Sequence, residues 1–424
     1  MRKAKRAWAL VLAAFMAVTA SGCIASGADG LYALPRMSDE YVQLENLISA
    51  RIEDGGEYAA PVGGANRQSV QLHDLDGDGV AEAIAFLADS GHTPSVCVYR
   101  RQSEGDYALD TVINGSGSAV SRVEYADITG DGAQELIIAW QISGDMRLLC
   151  VYSLRGEEPA TLLSADCSAF ILGDLDGDET PEIFDFVMES AGEGRVVRYT
   201  FSESGEEDSS AARLSKGISE ILRARTGHLT DGSAALFVES RWENDLITDV
   251  FSMTGNVLVN ITMADSGRSS TLRSAEAYAG DINGDRVMEL PEASGALLNW
   301  YSLDGAGRKS LVMTTYHDYE NGWYLTLPEE MLTALTVTVT DDVAGETAVK
   351  FTASGEDGQR EAMATIYTLT GENRLDRAGA EGRFILAQNA TTVYAGELLS
   401  KTLSQDTIEE CFNLIYTEWQ TGAL

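Results

Sequence analysis

A short acidic segment recurs in this chain at intervals of about fifty residues. The first copy reads DLDGDGV over 74–80, related segments begin at Asp127, Asp174 and Asp281, and a decayed copy begins at Gly227. The steps between these starting positions are 53, 47, 53 and 54 residues. A regular period of this length is typical of stacked structural units, so the repeat predicts an array or a propeller.

Each copy carries the same order of apolar runs. In the second copy a run such as SRVEYAD precedes the acidic loop, ELIIAW follows it, and CVYSLRG and ATLLSAD come next. Four short apolar runs with Gly-rich turns between them describe four-stranded blades. The 41 glycines and 7 prolines also fit many tight turns. We therefore expect a mainly β chain: a β-propeller with about five recognisable four-stranded blades and room for six or seven in all.

The acidic loops place carboxylates where a cation would be needed. Asp74, Asp76, Asp78 and Glu82 lie at positions one, three, five and nine of the first loop, and these like charges repel one another. Calcium prefers six to eight hard oxygen ligands, and glycine allows the tight turn between them. An EF-hand is disfavoured because its twelfth position would be Ala85 and the flanking segments resemble strands. The alternative is an acidic, Gly-rich turn that binds no metal.

These loops resemble those of the FG-GAP/VCBS repeat family, whose blades carry a Dx[DN]xDGxx[DE] calcium loop between their first two strands. The resemblance covers about residues 68–313 and implies three to four structural Ca²⁺ ions. The implied ligands, including a carbonyl at each seventh position, are Asp74, Asp76, Asp78, Val80 and Glu82; Asp127, Thr129, Asp131, Ala133 and Glu135; Asp174, Asp176, Asp178, Thr180 and Glu182; and Asp281, Asn283, Asp285, Val287 and Glu289.

Several loops depart from the family pattern. Thr129 replaces a carboxylate, which predicts a weaker second site, and Glu179 and Arg286 stand where the family prefers glycine. The decayed copy keeps only Asp231 among its ligand positions and is expected to bind no metal.

The first residues predict a targeting signal. Basic residues precede a 14-residue apolar run, Ala7 to Ala20, which is short for a membrane span. The following Ala20-Ser21-Gly22-Cys23 resembles the lipobox of bacterial lipoproteins. This resemblance implies cleavage before Cys23, a lipid on its sulfur, and an extracytoplasmic protein anchored to the outer face of a bacterial membrane. The alternative is ordinary cleavage near Ala20.

The remaining sequence divides into further segments. Residues 1–22 form the predicted signal peptide, 23–37 a tether, 38–56 a helical segment, 57–315 the propeller, and 316–424 a small α+β domain or irregular closing blades. The first helix is expected over 38–52, packed on the propeller through an apolar stripe. A second is expected over 406–419, with Asp406 and Glu409 as a capping pair. Cys97, Cys150, Cys167 and Cys411 are expected to be free thiols.

Composition and motifs limit the function. The net charge of −36 excludes nucleic-acid binding through a basic surface. The sequence contains no GxSxG, HExxH, CxxC or P-loop motif. The aromatic segment YHDYENGWY at 316–324 is interpreted as a seam between units, with a sugar-stacking surface as the alternative. The favoured function is a non-catalytic cell-surface module for a protein or glycan ligand. The alternatives are a glycan-active envelope hydrolase and a structural accessory subunit of an envelope complex.

Overall fold

The computed structural model describes residues 39–415, apart from short gaps at 54, 103–105, 145, 157, 190–192, 274–276, 333–334 and 355–358. The described chain begins with one helix and continues as six antiparallel sheets that follow one another in sequence. The prediction of a mainly β chain is confirmed.

The helices and strands have the following bounds. Helix α1 spans Asp39–Glu53. Sheet 1 contains β1 (Glu57–Tyr58), β2 (Val70–His73), β3 (Glu82–Ala88), β4 (Pro94–Arg101) and β5 (Tyr107–Asn114). Sheet 2 contains β6 (Ala119–Ala126), β7 (Glu135–Ser143), β8 (Met146–Ser153) and β9 (Ala160–Cys167). Sheet 3 contains β10 (Ala169–Gly173), β11 (Glu182–Glu189), β12 (Glu193–Phe201) and β13 (Glu207–Arg213).

The second half of the chain supplies the other sheets. Sheet 4 contains β14 (Glu220–His228), β15 (Ala234–Trp242), β16 (Asp245–Thr254) and β17 (Val257–Asn260). Sheet 5 contains β18 (Leu290–Ser294), β19 (Leu297–Leu303), β20 (Lys309–Asp318), β21 (Trp323–Thr326) and β27 (Phe412–Leu414). Sheet 6 contains β22 (Thr336–Val343), β23 (Glu346–Ser354), β24 (Arg360–Thr370), β25 (Arg383–Gln388) and β26 (Thr392–Leu398). Helices α2 (Arg374–Ala378) and α3 (Gln405–Cys411) complete the described chain.

Sheets 2, 3 and 4 are four-stranded meanders in which each strand pairs with the next along the chain. The four-stranded unit expected from the repeat is therefore present in these sheets. Sheet 1 differs because β1 and β2 both pair with β3. Sheet 5 differs because the segment before its acidic loop is reduced to a bridge between Gly280 and Glu289.

Successive sheets pack face to face through alternating side chains of their central strands. In β7, Leu136 and Ile138 belong to the core shared with sheet 1, whereas Ile137 and Ala139 belong to the core shared with sheet 3. Because successive side chains of a strand point to opposite faces, a strand covered on both sides must be apolar throughout. The run LIIAW, which follows Glu135 in β7, satisfies this requirement.

Helix α1 covers the outer face of sheet 1. Leu44 and Ile48 are buried in a core with Ala83, Ala85 and Cys97. Cys97 occupies the place in sheet 1 that Cys150 occupies in sheet 2, where the same face packs on the preceding sheet. The helix therefore occupies the position of a preceding sheet. Within the described part of the chain, no buried apolar core contains side chains from both sheet 1 and sheet 6. Closure of the sheets into the ring of a propeller therefore stays a prediction.

The region after residue 315 is continuous with the sheets before it. The predicted domain boundary at 315 falls inside β20, and one apolar core joins Tyr316 and Trp323 of sheet 5 to Phe351 and Ile366 of sheet 6. Trp323 is fully buried in this core. Part of the aromatic segment therefore packs between two sheets, whereas its interpretation as a seam between domains stays a prediction.

The helix predicted over 406–419 is present over 406–411, and the prediction is wrong for residues 412–414. Helix α3 ends at Cys411, and the next three residues form β27, which pairs with β21 at the edge of sheet 5. The free edge of β21 offers backbone hydrogen bonds that continued helix would leave unused. The capping pair is also wrong: the Ser404 side chain accepts from the backbone N–H of Thr407 at 3.1 Å. Residues 416–424 lie outside the described part.

The cysteine prediction is confirmed. Cys97, Cys150 and Cys167 are buried free thiols, and Cys411 is a half-buried free thiol. The predicted signal peptide, Cys23 and the tether lie outside the described residues. Among the described helices, none is both long and apolar enough to cross a membrane.

Candidate metal centres

The acidic loops share one strand register. The residue before the first aspartate pairs with the ninth-position glutamate, as in His73 with Glu82 and Gly173 with Glu182. In the second loop Ala126 pairs with Glu135 in the same way. In the fifth loop Gly280 forms an isolated β-bridge with Glu289. The loops therefore connect their flanking segments with the same number of residues, as the sequence repeat indicates.

Backbone N–H groups fix the first and fifth side chains of each loop. The Asp74 carboxylate accepts from Gly79 N–H at 2.9 Å, and the Asp78 carboxylate accepts from Val80 N–H at 2.7 Å. The same two bonds recur in the other three loops, accepted by Asp127 and Asp131, Asp174 and Asp178, and Asp281 and Asp285. These bonds hold one oxygen of each carboxylate and orient the group, as in an Asx turn.

The ninth-position glutamates are buried. Glu82, Glu135, Glu182 and Glu289 are at most 3% exposed. In each, Oε2 accepts from the backbone N–H of the second loop residue, at 2.7–3.2 Å. Burial is the main cause that raises the pKa of Glu135, Glu182 and Glu289 to about 7, and it raises the pKa of Glu82 as well. A buried carboxylate of this kind needs a nearby positive charge to ionise fully at neutral pH.

The donor set of the first and third loops fits a calcium ion. The carboxylates of Asp74, Asp76 and Asp78 each offer an oxygen within 4.8 Å of the others. The carboxylates of Asp174, Asp176 and Asp178 form an equivalent group. Three converging carboxylate oxygens with further loop oxygens nearby are the hard ligands that calcium prefers.

The second and fifth loops fit a cation for a different reason. Glu135 Oε1 and Glu289 Oε1 are buried and have no hydrogen-bond partner in the described structure. Because an unpaired buried carboxylate oxygen is costly, a metal at this position would satisfy it. Thr129 donates to Glu135 Oε2 at 3.4 Å, so this loop has a hydroxyl where the first and third have a carboxylate.

Two arginines are additional members of the first and third loops that the sequence analysis missed. Arg198 lies on β12, is 6% exposed, donates from Nε to Glu182 Oε1 at 2.7 Å, and contacts Asp176 through Nη2. Arg100 on β4 contacts Asp76 through Nη1 and Asp110 through Nε. A guanidinium therefore already balances part of the charge of these loops. Each arginine lies on the second strand after its loop, and a basic residue within that strand was the available signal.

The sixth position of each loop has a left-handed backbone. Gly79 and Gly132 have φ of 87° and 89°, and Glu179 and Arg286 adopt φ of 70° and 73° at the same place. Only glycine adopts this conformation without steric cost, which amounts to roughly 1–2 kcal/mol for other residues. Two loops therefore keep the shared geometry in spite of this strain.

The decayed fourth loop has a different role for its remaining carboxylate. Asp231 accepts from the Ser233 hydroxyl at 2.6 Å and from Gly305 N–H at 3.0 Å. The second bond connects sheet 4 to the turn that follows β19. The structure thus uses Asp231 as a link between neighbouring sheets.

Comparisons with known proteins found matches among solved structures at low sequence identity. No family model and no curated protein matches the chain. The WD40 domain of SCAP from fission yeast is 15% identical over 85% of this chain and 77% of its own, with a TM-score of 0.30. The Dos1 propeller is 10% identical over 80% and 82%, also with a TM-score of 0.30. The periplasmic gluconolactonase of Pseudomonas aeruginosa is 10% identical over 70% and 95%, with a TM-score of 0.28. TM-scores this low support no argument about the fold, so the fold of this chain is described from its own sheets alone.

Proposed function

We propose that this chain is a cell-surface lipoprotein in which calcium binds the acidic loops and stiffens a non-catalytic β-propeller that serves as a binding or scaffold module. The calcium role is supported above all by one observation: the same strand register and the same hydrogen bonds recur in four loops, each closed by a buried glutamate. The surface location is supported by the lipobox-like sequence that ends at Cys23.

In this proposal the metal has a structural role. The loop carboxylates would bind the ion, and the ninth-position glutamate would join it to the second strand of the blade. Extracellular calcium modules bind with Kd values of about 0.1–1 mM. At about 1 mM calcium each site would then contribute roughly 0.4–1.4 kcal/mol. Four sites would contribute about 2–6 kcal/mol, which is comparable to the net stability of a domain.

The first test is thermal unfolding of residues 24–424, which keeps every residue that the structure describes. Melts in calcium, in magnesium and in chelator are compared, and calorimetric titration counts the bound ions. We expect a rise in Tm that is specific for calcium and three to four ions per chain. Equal melting temperatures in calcium and chelator would overturn the metal assignment.

A pair of variants tests which loops bind. Asp76→Ala removes a ligand of the first loop and should lower the number of bound calcium ions by one. Asp231→Ala changes the decayed loop and should leave that number unchanged, although it removes the bonds to Ser233 and Gly305. Equal losses of calcium from both variants would contradict the ligand assignment.

A further inference from the structure

A cavity of about 790 Å³ opens at the opposite ends of the strands from the metal loops. Its wall includes residues near the start of β6, β10 and β14, the first strands of sheets 2, 3 and 4. The second and third acidic loops follow the far ends of β6 and β10, and the decayed loop follows the far end of β14. The volume lies within the range of about 300–1,000 Å³ that is typical of small-molecule sites. Three sheets therefore supply one recess of ligand size.

Arg122 presents a guanidinium to this cavity. Its Nε donates to Glu124 Oε1 at 2.8 Å, and its Nη1 donates to the Phe170 carbonyl at 3.1 Å. The guanidinium carbon lies 5.0 Å from the centre of the Phe170 ring, so the ring supports one face of the group. Nη2 has no partner among the described residues, and the side chain is 25% exposed. Arg122 is thus held in place with donors left for a ligand.

A second guanidinium lines the same wall. Arg147 Nε donates to Ser121 Oγ at 2.8 Å, and its Nη1 donates to the Ser168 carbonyl. Two arginines thus meet in one recess of a chain whose net charge is −36. Because salt screens exposed charges beyond about 8 Å, the charges near the recess decide what binds there more than the net charge does. These nearby charges are the two arginines, the Glu124 partner of Arg122, and Glu220 of the wall.

The rest of the wall indicates the kind of molecule that the arginines would hold. Met188 and Ile221 offer apolar surface, and Gln141 and Glu220 offer hydrogen-bonding groups. A guanidinium pairs strongly with a carboxylate or a phosphate through parallel N–H bonds. A sugar ring has apolar C–H faces and hydroxyl edges that suit such a mixed wall.

We infer that this cavity binds an anionic saccharide, with Arg122 pairing its acidic group and Met188 contacting its ring. The inference rests on the proposed binding role and specifies the ligand class and the site. The acidic group is a carboxylate or a phosphate, since both accept the same pair of N–H donors.

The test uses the protein of residues 24–424, isotopically labelled at its methionine methyl groups, with calcium present. The NMR resonance of the Met188 methyl group is followed as ligands are added. The Met188→Leu variant assigns the resonance, and buried Met331 in the core between sheets 5 and 6 serves as an internal reference. Glucuronate, glucose 6-phosphate and glucose are titrated separately. We expect glucuronate or glucose 6-phosphate to shift the Met188 resonance, and the stronger of the two identifies the acidic group. Glucose should shift it at least tenfold less at the same concentration.

Variants separate a ligand contact from a general effect on folding. Arg122→Gln should weaken binding at least tenfold, whereas Arg308→Gln, at a side chain that is 82% exposed and pairs with Asp304, should bind as the parent does. Equal shifts with glucose and its acidic counterparts, or no shift at Met188 with any sugar, would overturn the inference. Because the ligand comparison uses the parent protein, it remains decisive if Arg122→Gln does not fold. Calcium-dependent melting is measured separately, so failure of the metal role is distinguishable from failure of this site.

Discussion

At the scale of single residues, the acidic loops differ in what balances their charge. In the third loop Arg198 lies against Asp176 and the buried Glu182. In the second loop Arg155 contacts Asp131, but in the second and fifth loops one oxygen of the buried glutamate has no hydrogen-bond partner among the described residues. A guanidinium and a calcium ion would compete for the same carboxylates, because two positive charges at close range repel. The number of carboxylates in each loop therefore does not by itself predict how strongly that loop binds calcium.

Replacing Arg198 tests this competition. Arg198→Met removes the positive charge and should raise the calcium affinity of the third loop by about tenfold, which corresponds to ~1.4 kcal/mol. It should also lower the stability of the calcium-free protein, since buried Glu182 loses its partner. Calorimetric titration and melts with and without calcium measure both effects. Arg195→Met, on the same strand at a side chain that is 41% exposed, is the control. Unchanged calcium affinity in Arg198→Met would show that the arginine does not compete.

Asp185 is a second residue whose surroundings conflict with its charge. It is fully buried on β11, and neither carboxylate oxygen has a hydrogen-bond partner among the residues that the structure describes. The Cys167 thiol is near enough to influence the Asp185 pKa but does not reach hydrogen-bond geometry. Burial raises the pKa of Asp185 to about 7, so the folded protein binds this proton more tightly than the unfolded chain.

The pH dependence of stability checks this account of Asp185. Because the folded pKa is raised, stability should fall as pH rises from the ordinary Asp value through about 7. Asp185→Asn removes this titration, so its stability relative to the parent should increase by about 2–3 kcal/mol between pH 5 and pH 8. Denaturant melts at the two pH values provide the measurement. Asp342→Asn, at an exposed position of β22, should show no such change. A parallel response of the two variants would exclude Asp185 as the cause.

At the scale of elements, the packing of neighbouring strands and helices determined features that the sequence pattern did not predict, such as the end of helix α3. The strands of sheets 2 to 4 were evident from the repeat, because strands buried on both faces are apolar throughout. The end of helix α3 was not evident, because the apolar residues that suggested more helix also suit a strand at the edge of sheet 5. Helix α1 was expected, but only the structure shows that it occupies the position of a preceding sheet.

Removing a buried side chain of α1 tests its contribution to the stability of sheet 1. Ile48 is 2% exposed in the core with sheet 1, whereas Val42 on the same helix is 43% exposed. Ile48→Ala should destabilise the protein by about 2–4 kcal/mol. Val42→Ala should change stability by less than about 0.5 kcal/mol. Denaturant unfolding measures both variants. Similar losses would indicate that the helix does not pack on sheet 1 as described.

At the scale of the whole molecule, the sheets form a continuous series in which each shares a core with the next. These cores join sheet 1 to 2, 2 to 3, 3 to 4, 4 to 5 and 5 to 6. A structural unit of this kind depends on its neighbours for burial of both faces. We therefore expect calcium at one loop to stabilise the adjoining sheets as well as its own.

Membrane attachment is a prediction for the whole protein. If Cys23 carries lipid, Cys23→Ala in the full-length chain should move the protein from the membrane fraction to the soluble fraction of a bacterial expression host. Fractionation followed by immunoblotting measures this. Ser26→Ala, just after the lipobox-like segment, should leave the distribution unchanged. Continued membrane association of Cys23→Ala would exclude lipid anchoring at that residue.

The sequence by itself determined the repeat, the four-stranded units of sheets 2 to 4 and the positions of the acidic loops. Each follows from local pattern: strand period, turn glycines and carboxylate spacing. Tertiary structure alone decided that Arg198 and Arg100 reach loops that lie more than twenty positions earlier in the chain. It also decided that Arg122 and Arg147 line one cavity and that β27 completes sheet 5. In the described part of the chain, it buries Asp185 without a hydrogen-bond partner. The physical reason is that these features depend on which faces and strand ends come together in space, and no local pattern records that.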